Sequence, residues 1–316
     1  MEKNQIVLTS PGVGDSGAPP EKRKNYRTPR EIRQARRTST LFLLPSLIGL
    51  AVFFVIPFFV IIYYSFVSRP VGGDFVFFDN FVRVWNNFSF RLAAKNTLLF
   101  SAMAVPAAVI LSLLLASALE ANVPFKSRFR TFFLSPLMVP VASVVLIWQV
   151  VFDNNGALND VIAFFGGTGT DWLKSDYGLV VVVLLFLWKN IGYNMILFMA
   201  AISNIPSAPV EAAMVDGAGK LRTFFTIKLR YLSPSILFVT ILSLINSFKI
   251  FREVYLLTGS HPYESLYMLQ HFMNNVFENL DYQKLSAASL IMFVVMVLIV
   301  GALFLVEYVF GKDLEQ

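Results

Sequence analysis

Glu211-Ala212-Ala213-Met214-Val215-Asp216-Gly217-Ala218-Gly219 lies between two long apolar runs, and its local chemistry reads as a helix that starts and stops abruptly. Ser207 can cap the helix N-terminus, Pro209 suits the first turn, and Glu211 complements the positive end of the helix dipole. Ala212, Ala213 and Met214 are good helix formers, and Gly217 is placed to end the helix in a left-handed turn. A second short amphipathic helix follows from Leu221 to Leu229, with Phe224, Phe225 and Leu229 apolar and Arg222 and Lys228 polar. Pro234 then opens the next apolar run. The stretch predicts a two-helix elbow, at about 205–232, lying on a membrane surface.

Outward from the elbow, the chain is too apolar for an ordinary soluble domain. Of its 316 residues 56% are hydrophobic and 15% charged, and the mean hydropathy is +0.64. A helix crosses a bilayer with roughly 20 mostly apolar residues. Six runs qualify, at about 41–66, 94–119, 132–152, 178–200, 233–256 and 285–310. Barrel strands would instead alternate apolar and polar residues over about 10 positions. The fold class is therefore an all-α membrane protein with six transmembrane helices. Pro45, Pro57, Pro106, Pro136 and Pro140 fall within the first three spans and predict kinks there.

The 26 Lys and Arg residues are unevenly placed. Nine fall in residues 1–40, three follow span two (Lys126, Arg128, Arg130) and four follow span four (Lys220, Arg222, Lys228, Arg230). Lys312 follows span six, making 17 on one side against four to six on the other. Basic residues collect on the cytoplasmic side, so both termini and the elbow are expected there. The same reading divides the chain into a basic, partly disordered tail at 1–40, a six-span domain at 41–310, and a cytoplasmic end at 311–316. The tail lacks the apolar core of a secretory signal, and Arg30 to Arg37 suits anionic lipid better than nucleic acid. In the opposite loops, Trp85, Phe88, Phe90 and Trp172 read as interfacial aromatics, in segments that could also meet a soluble partner.

Polar residues interrupt two spans. Lys189, Asn190, Tyr193 and Asn194 stand at helical spacing near the middle of span four. In span five Asn246, Lys249 and Glu253 are spaced for one helical face. A lysine at such depth costs about 2.5–3.5 kcal/mol to insert. Either these groups face a cavity, or the amides join helices while Lys249 pairs with Glu253 near the outer interface.

Several chemistries are excluded. The chain has no cysteine, so disulfides and thiolate metal sites are absent. His261 and His271 share one external loop and read as solvated loop residues rather than a metal pair. Gly217-Ala-Gly-Lys220 lacks both the Ser or Thr and the spaced glycine of a phosphate loop. No nucleophile elbow or paired-histidine motif appears, so no catalytic residue, metal or cofactor is expected in the chain.

From Ile205-Pro206 to Pro234 the chain resembles the membrane subunits of binding-protein-dependent ABC importers, carbohydrate branch. The matching residues are Glu211, Ala212, Ala213, Asp216, Gly217, Ala218, Gly219, Phe224, Ile227 and Leu229; Arg230 stands where that family usually has proline. Asp79-Asn80-Phe81, Asn96-Thr97, Ser135-Pro136, Gly156-Ala157-Leu158-Asn159 and Leu257-Thr258-Gly259 extend the likeness over about 40–310. The resemblance implies a type I importer permease in the bacterial cytoplasmic membrane, moving a sugar, oligosaccharide or related polyol. It also implies a second homologous permease, two ATPase subunits that bind the ATP and Mg, and an external solute-binding protein. Glu211, Ala212, Ala213, Asp216 and Gly217 would then couple to the ATPases, and Asn190, Tyr193, Asn194, Asn246 and Lys249 would line the solute path. Two rival readings are an ion-coupled secondary transporter, which needs a buried carboxylate, and a non-transporting membrane scaffold.

Overall fold

A computed structural model describes residues 29–120 and 125–311, with side chains from 40 to 120 and from 125 to 309. Most of the 1–40 tail, and Lys312 with the residues after it, lie outside the described residues. The chain divides into two compact units, residues 1–57 and 58–316.

In the first unit, α1 (Pro29–Leu50) passes into a π-helical turn at Ala51–Val55, and the α2 helix (Ile56–Ser65) that follows belongs mostly to the second. Pro57 has no N–H, and its ring would press on the carbonyl four residues back, at Phe53. Widening the preceding turn relieves that conflict, and the Ile56 N–H accordingly reaches back to the Ala51 carbonyl. Pro45 is accommodated inside α1.

The second unit continues through α3 (Asp79–Trp85), α4 (Phe88–Glu120), α5 (Lys126–Met138), α6 (Val141–Phe152), α7 (Ala157–Phe164) and α8 (Gly178–Ser203). The elbow holds α9 (Ser207–Val215), α10 (Lys220–Thr223), a π turn at Phe224–Lys228, and α11 (Leu229–Tyr231). Then come α12 (Ser233–Phe248), α13 (Phe251–Thr258), α14 (Leu269–Glu278) and α15 (Tyr282–Gly311). Among the described residues six helical stretches are long and apolar enough to cross a membrane: Thr40–Ser65, Phe88–Glu120, Val141–Phe164, Gly178–Ser203, Ser233–Thr258 and Tyr282–Val309.

Two spans differ from the continuous helices read in the sequence. The third does not begin at 132: α5 ends at Met138, and Val139 turns extended at φ −85°, ψ 129° before α6 begins. Pro140 causes the break, because its ring disfavours helical backbone in the residue before it. The fifth is split, with Lys249 and Ile250 forming a turn between α12 and α13. No Gly or Pro marks that break.

The core of this unit is built around α4, which packs on α8, α12 and α14. Its Ala93, Ala104, Ala108 and Ala116 are fully buried. Small side chains let membrane helices approach closely, and hydroxyls then bridge them. Ser101 and Ser247 hydroxyls meet at 2.9 Å, and Ser112 donates to the Ile191 carbonyl at 3.2 Å. Gly192 shows the same economy of space between α8 and α5, since a Cβ there would overlap the Phe133 carbonyl.

Three asparagines tie down irregular backbone. Asn80 donates to the Ser65 and Val67 carbonyls, and Asn96 to those of Glu264 and Tyr267. Asn159 donates to the carbonyls of Asp153, Asn154 and Thr170, and accepts from the Thr170 N–H and the Trp172 indole. Thr97 accepts the Leu269 N–H that opens α14, at 2.9 Å. Of the four aromatics read as interfacial, Trp85 and Phe88 are exposed, but Phe90 is buried against Phe272.

His271 is likewise no solvated loop residue. It is fully buried on α14, with the Phe251 ring 4.7 Å away. Its Nδ1 accepts the Met268 N–H at 3.3 Å, while its Nε2 has no partner among the described residues. Burial pushes its pKa down to about 4. His261 remains exposed, and no group of metal-ligating side chains occurs among the described residues.

Candidate functional site

The elbow closes as a Schellman motif. Gly217 sits at φ +79°, its N–H donating to the Met214 carbonyl at 3.1 Å, and the Ala218 N–H reaches the Ala213 carbonyl at 2.9 Å. Nothing approaches within 4 Å of where a Gly217 Cβ would lie, so the left-handed backbone, not crowding, is what requires glycine. At the other end the expected cap is corrected. Pro206 occupies the N-cap with no side-chain hydrogen bond, and Ser207 is the first helical residue. Pro209 is in the first turn as read, while Glu211 lies in the second, beyond most of the dipole's reach.

No residue of α9 is buried. Met214 and Val215 are 58% and 88% exposed, and Leu221 after the turn is 76% exposed. Glu211, Ala212, Asp216 and Gly217 are exposed too, and Ala213 is half-buried. Charged, small and apolar groups thus share one open face.

The second half of the elbow is helical from Lys220 to Tyr231, slightly longer than read, with a π turn in its middle. At Arg230 the helix simply runs on to Tyr231, and Pro234 enters the first turn of α12. Lys228 ties this half to the end of α4 through Glu120.

In the membrane, a cavity of about 470 Å³ opens where α8 faces the break between α12 and α13. Lys189, Asn190, Asn246, Lys249, Arg252 and Glu253 line it. Asn246 donates to Asn190 Oδ1 at 3.2 Å, and Asn190 donates to the Phe186 carbonyl at 2.8 Å. Glu253 is buried and ion-paired with Lys189, not with Lys249. The helix break explains the change of partner, because Lys249 and Glu253 no longer share a continuous helical face.

Of the five residues read as the solute path, Asn190, Asn246 and Lys249 reach this cavity. Tyr193 is 40% exposed and, one helical turn along α8, does not line the cavity. Asn194 is buried in the core and donates to Ser243 at 2.9 Å, leaving its Oδ1 without a partner among the described residues. Arg252 was not read as a site residue, although a charged side chain within an apolar span is the signal that exposes it. The buried Glu253 is the feature an ion-coupled transporter would need, but its charge is matched by Lys189.

Comparison with known proteins adds to this geometry. Residues 108–315 match the family described as binding-protein-dependent transport system inner membrane component. The sn-glycerol-3-phosphate transport system permease protein UgpA of Yersinia pestis is 30% identical, covering 83% of this chain and 90% of its own. The sulfoquinovosyl glycerol transport system permease protein SmoG of Agrobacterium fabrum is 32% identical, over 82% and 86%. The multiple sugar-binding transport system permease protein MsmF of Streptococcus mutans is 31% identical, over 87% and 95%. Among solved structures, a chain of a bacterial ABC transporter that imports the acidic polysaccharide alginate shares the fold with a TM-score of 0.76 at 21% identity. It spans 88% of this chain and 98% of its own.

Proposed function

The chain belongs to the binding-protein-dependent inner membrane transport components, and from that premise we propose that its exposed elbow docks an ATPase while its midplane cavity passes a hydroxyl-rich solute. The solute class is a sugar, oligosaccharide or polyol derivative, in keeping with relatives named for glycerol phosphate, sulfoquinovosyl glycerol and multiple sugars. A second homologous permease completes the path, two ATPase subunits supply the energy, and an external binding protein delivers the solute. The chain itself hydrolyses nothing. ATP and Mg belong to the ATPase subunits.

The observation that carries this reading is the open face of α9, where Met214 and Val215 stand uncovered beside Glu211. Exposed apolar groups rimmed by charge mark a docking surface. Glu211 inserts with its helix into a cleft on the ATPase and meets a basic residue there; Ala212 and Ala213 permit the close approach. Nucleotide-driven closure of the ATPases moves the elbow, which reorients the spans around the cavity, and solute binding that differs between the two states drives the exchange. Asn190, Asn246 and Lys249 line the path. Asn194 and Tyr193 support it without touching solute.

Removing one partner of a buried, hydrogen-bonded charge pair costs about 2–5 kcal/mol. Glu211→Ala should therefore weaken ATPase docking or uncouple hydrolysis from uptake in the reconstituted complex, with the membrane unit still folded. Normal docking and coupling in that variant would remove the proposed role of Glu211.

A further inference from the structure

The charges around the cavity do not balance. Lys189, Lys249, Arg252 and Glu253 are its ionic lining. Lys189 and Glu253 pair with each other and cancel. The side chains of Lys249 and Arg252 make no ion pair or hydrogen bond among the described residues. Phe251, Arg252 and Glu253, the first turn of α13, line the cavity too. The N-terminal end of a helix is its positive end, and a half-helix ending at membrane midplane is suited to receive an anion. Lys249 and Arg252 are both exposed at the mouth of the cavity, and two like charges beside one cleft draw in a counter-ion.

We propose that the solute is anionic: a hydroxyl-rich molecule bearing a carboxylate, sulfonate or phosphate group, whose charge is received between Lys249 and Arg252 at the N-terminus of α13. The inference rests on the cavity being the solute path. Kinship leaves the charge open, since the relatives' names cover both a phosphate ester and multiple sugars.

Because the chain has no cysteine, a single thiol reports the electrostatics of the cavity without the natural solute. Asn246→Cys is placed in the full complex of both permeases, the ATPases and the binding protein, with the unsubstituted complex as background. Two methanethiosulfonate reagents of similar size are compared, one ending in a sulfonate and one in a trimethylammonium group. Same-sign walls of low dielectric raise counter-ion occupancy by about tenfold or more. Relative to free cysteine, the sulfonate reagent should therefore be favoured by about tenfold, and Lys249→Gln with Arg252→Gln should abolish that preference. Leu137→Cys, on the same cavity, serves as reporter if Asn246→Cys does not assemble. Equal reaction, preference for the cation, or a preference that survives the two glutamine substitutions overturns the anionic solute while leaving the path in place. A reporter that neither reagent reaches removes the path and the inference together.

Discussion

Lys228 of the elbow donates to both carboxylate oxygens of Glu120 at the end of α4, each at 2.9 Å, across 108 residues of sequence. Through α4 the elbow is joined to the helix on which α8, α12 and α14 all pack. Both side chains are partly solvated, and such pairs contribute only about 0–1 kcal/mol to stability. The pair is therefore not what holds the fold.

Glu120→Gln should accordingly leave the thermal midpoint of the complex almost unchanged while lowering the solute taken up per ATP hydrolysed several-fold. Exchanging the charges, with Glu120→Lys and Lys228→Glu together, should restore much of it. Unaltered stoichiometry in Glu120→Gln would show that the pair transmits nothing.

At Gly217 the left-handed backbone of φ +79° costs an ordinary L-residue about 1–2 kcal/mol. Gly217→Val should reopen the end of α9 and lower retention of the ATPase on the purified permease. Gly217→Asn should retain it, since asparagine enters this region readily. Loss with both would point to the space around the glycine instead, contrary to the open surroundings found.

Acid should act through His271. Its folded pKa of about 4 lies below the ordinary value of 6.5 because burial disfavours the charged ring. The groups packed about it are the rings of Phe251, Tyr255 and Tyr267, and burial likewise raises the Tyr267 hydroxyl above its usual value. The unfolded chain thus binds a proton that the folded one refuses. Stability is unaffected above about pH 6.5 and falls as pH drops from there toward about 4, by about 3 kcal/mol over that window. His271→Gln should flatten this slope in thermal unfolding measured across pH, and an unchanged slope would assign the acid sensitivity elsewhere.

The charge asymmetry predicts that the elbow faces the cytoplasm. A cysteine at Lys220 should react with a membrane-impermeant thiol reagent in inside-out vesicles and not in intact cells. Labelling from outside would reverse the topology.

The spans were legible because apolar length is a local property, and the end of α9 because Gly217 carries its conformation with it. Pro140 reads as a kink inside span three, whereas it marks the start of α6. The break at Lys249–Ile250 was not legible. No residue there forbids helix, and the turn follows from where α6 and α14 hold α13. That one miss redirected the site: Glu253 found Lys189 rather than Lys249, and Arg252 joined the cavity unnoticed. Asn194 looked like a path residue because helical spacing alone cannot distinguish a cavity wall from a core facing Ser243. Asn80, Asn96 and Asn159 carried the family likeness, and in the structure each satisfies bare carbonyls of external backbone.

The interruption of span five has a mechanical consequence. Its lower member, α12, is clasped by α4, α8 and α15, whereas its upper member, α13, is clasped by α6, where Gln149 grips the Leu256 and Leu257 carbonyls, and by α14. The two halves of span five are thus held by different sets of helices, with Lys249 and Ile250 between them. Under the proposed mechanism, a displacement of α12 need not be passed whole to α13, because α13 is anchored separately on α6 and α14.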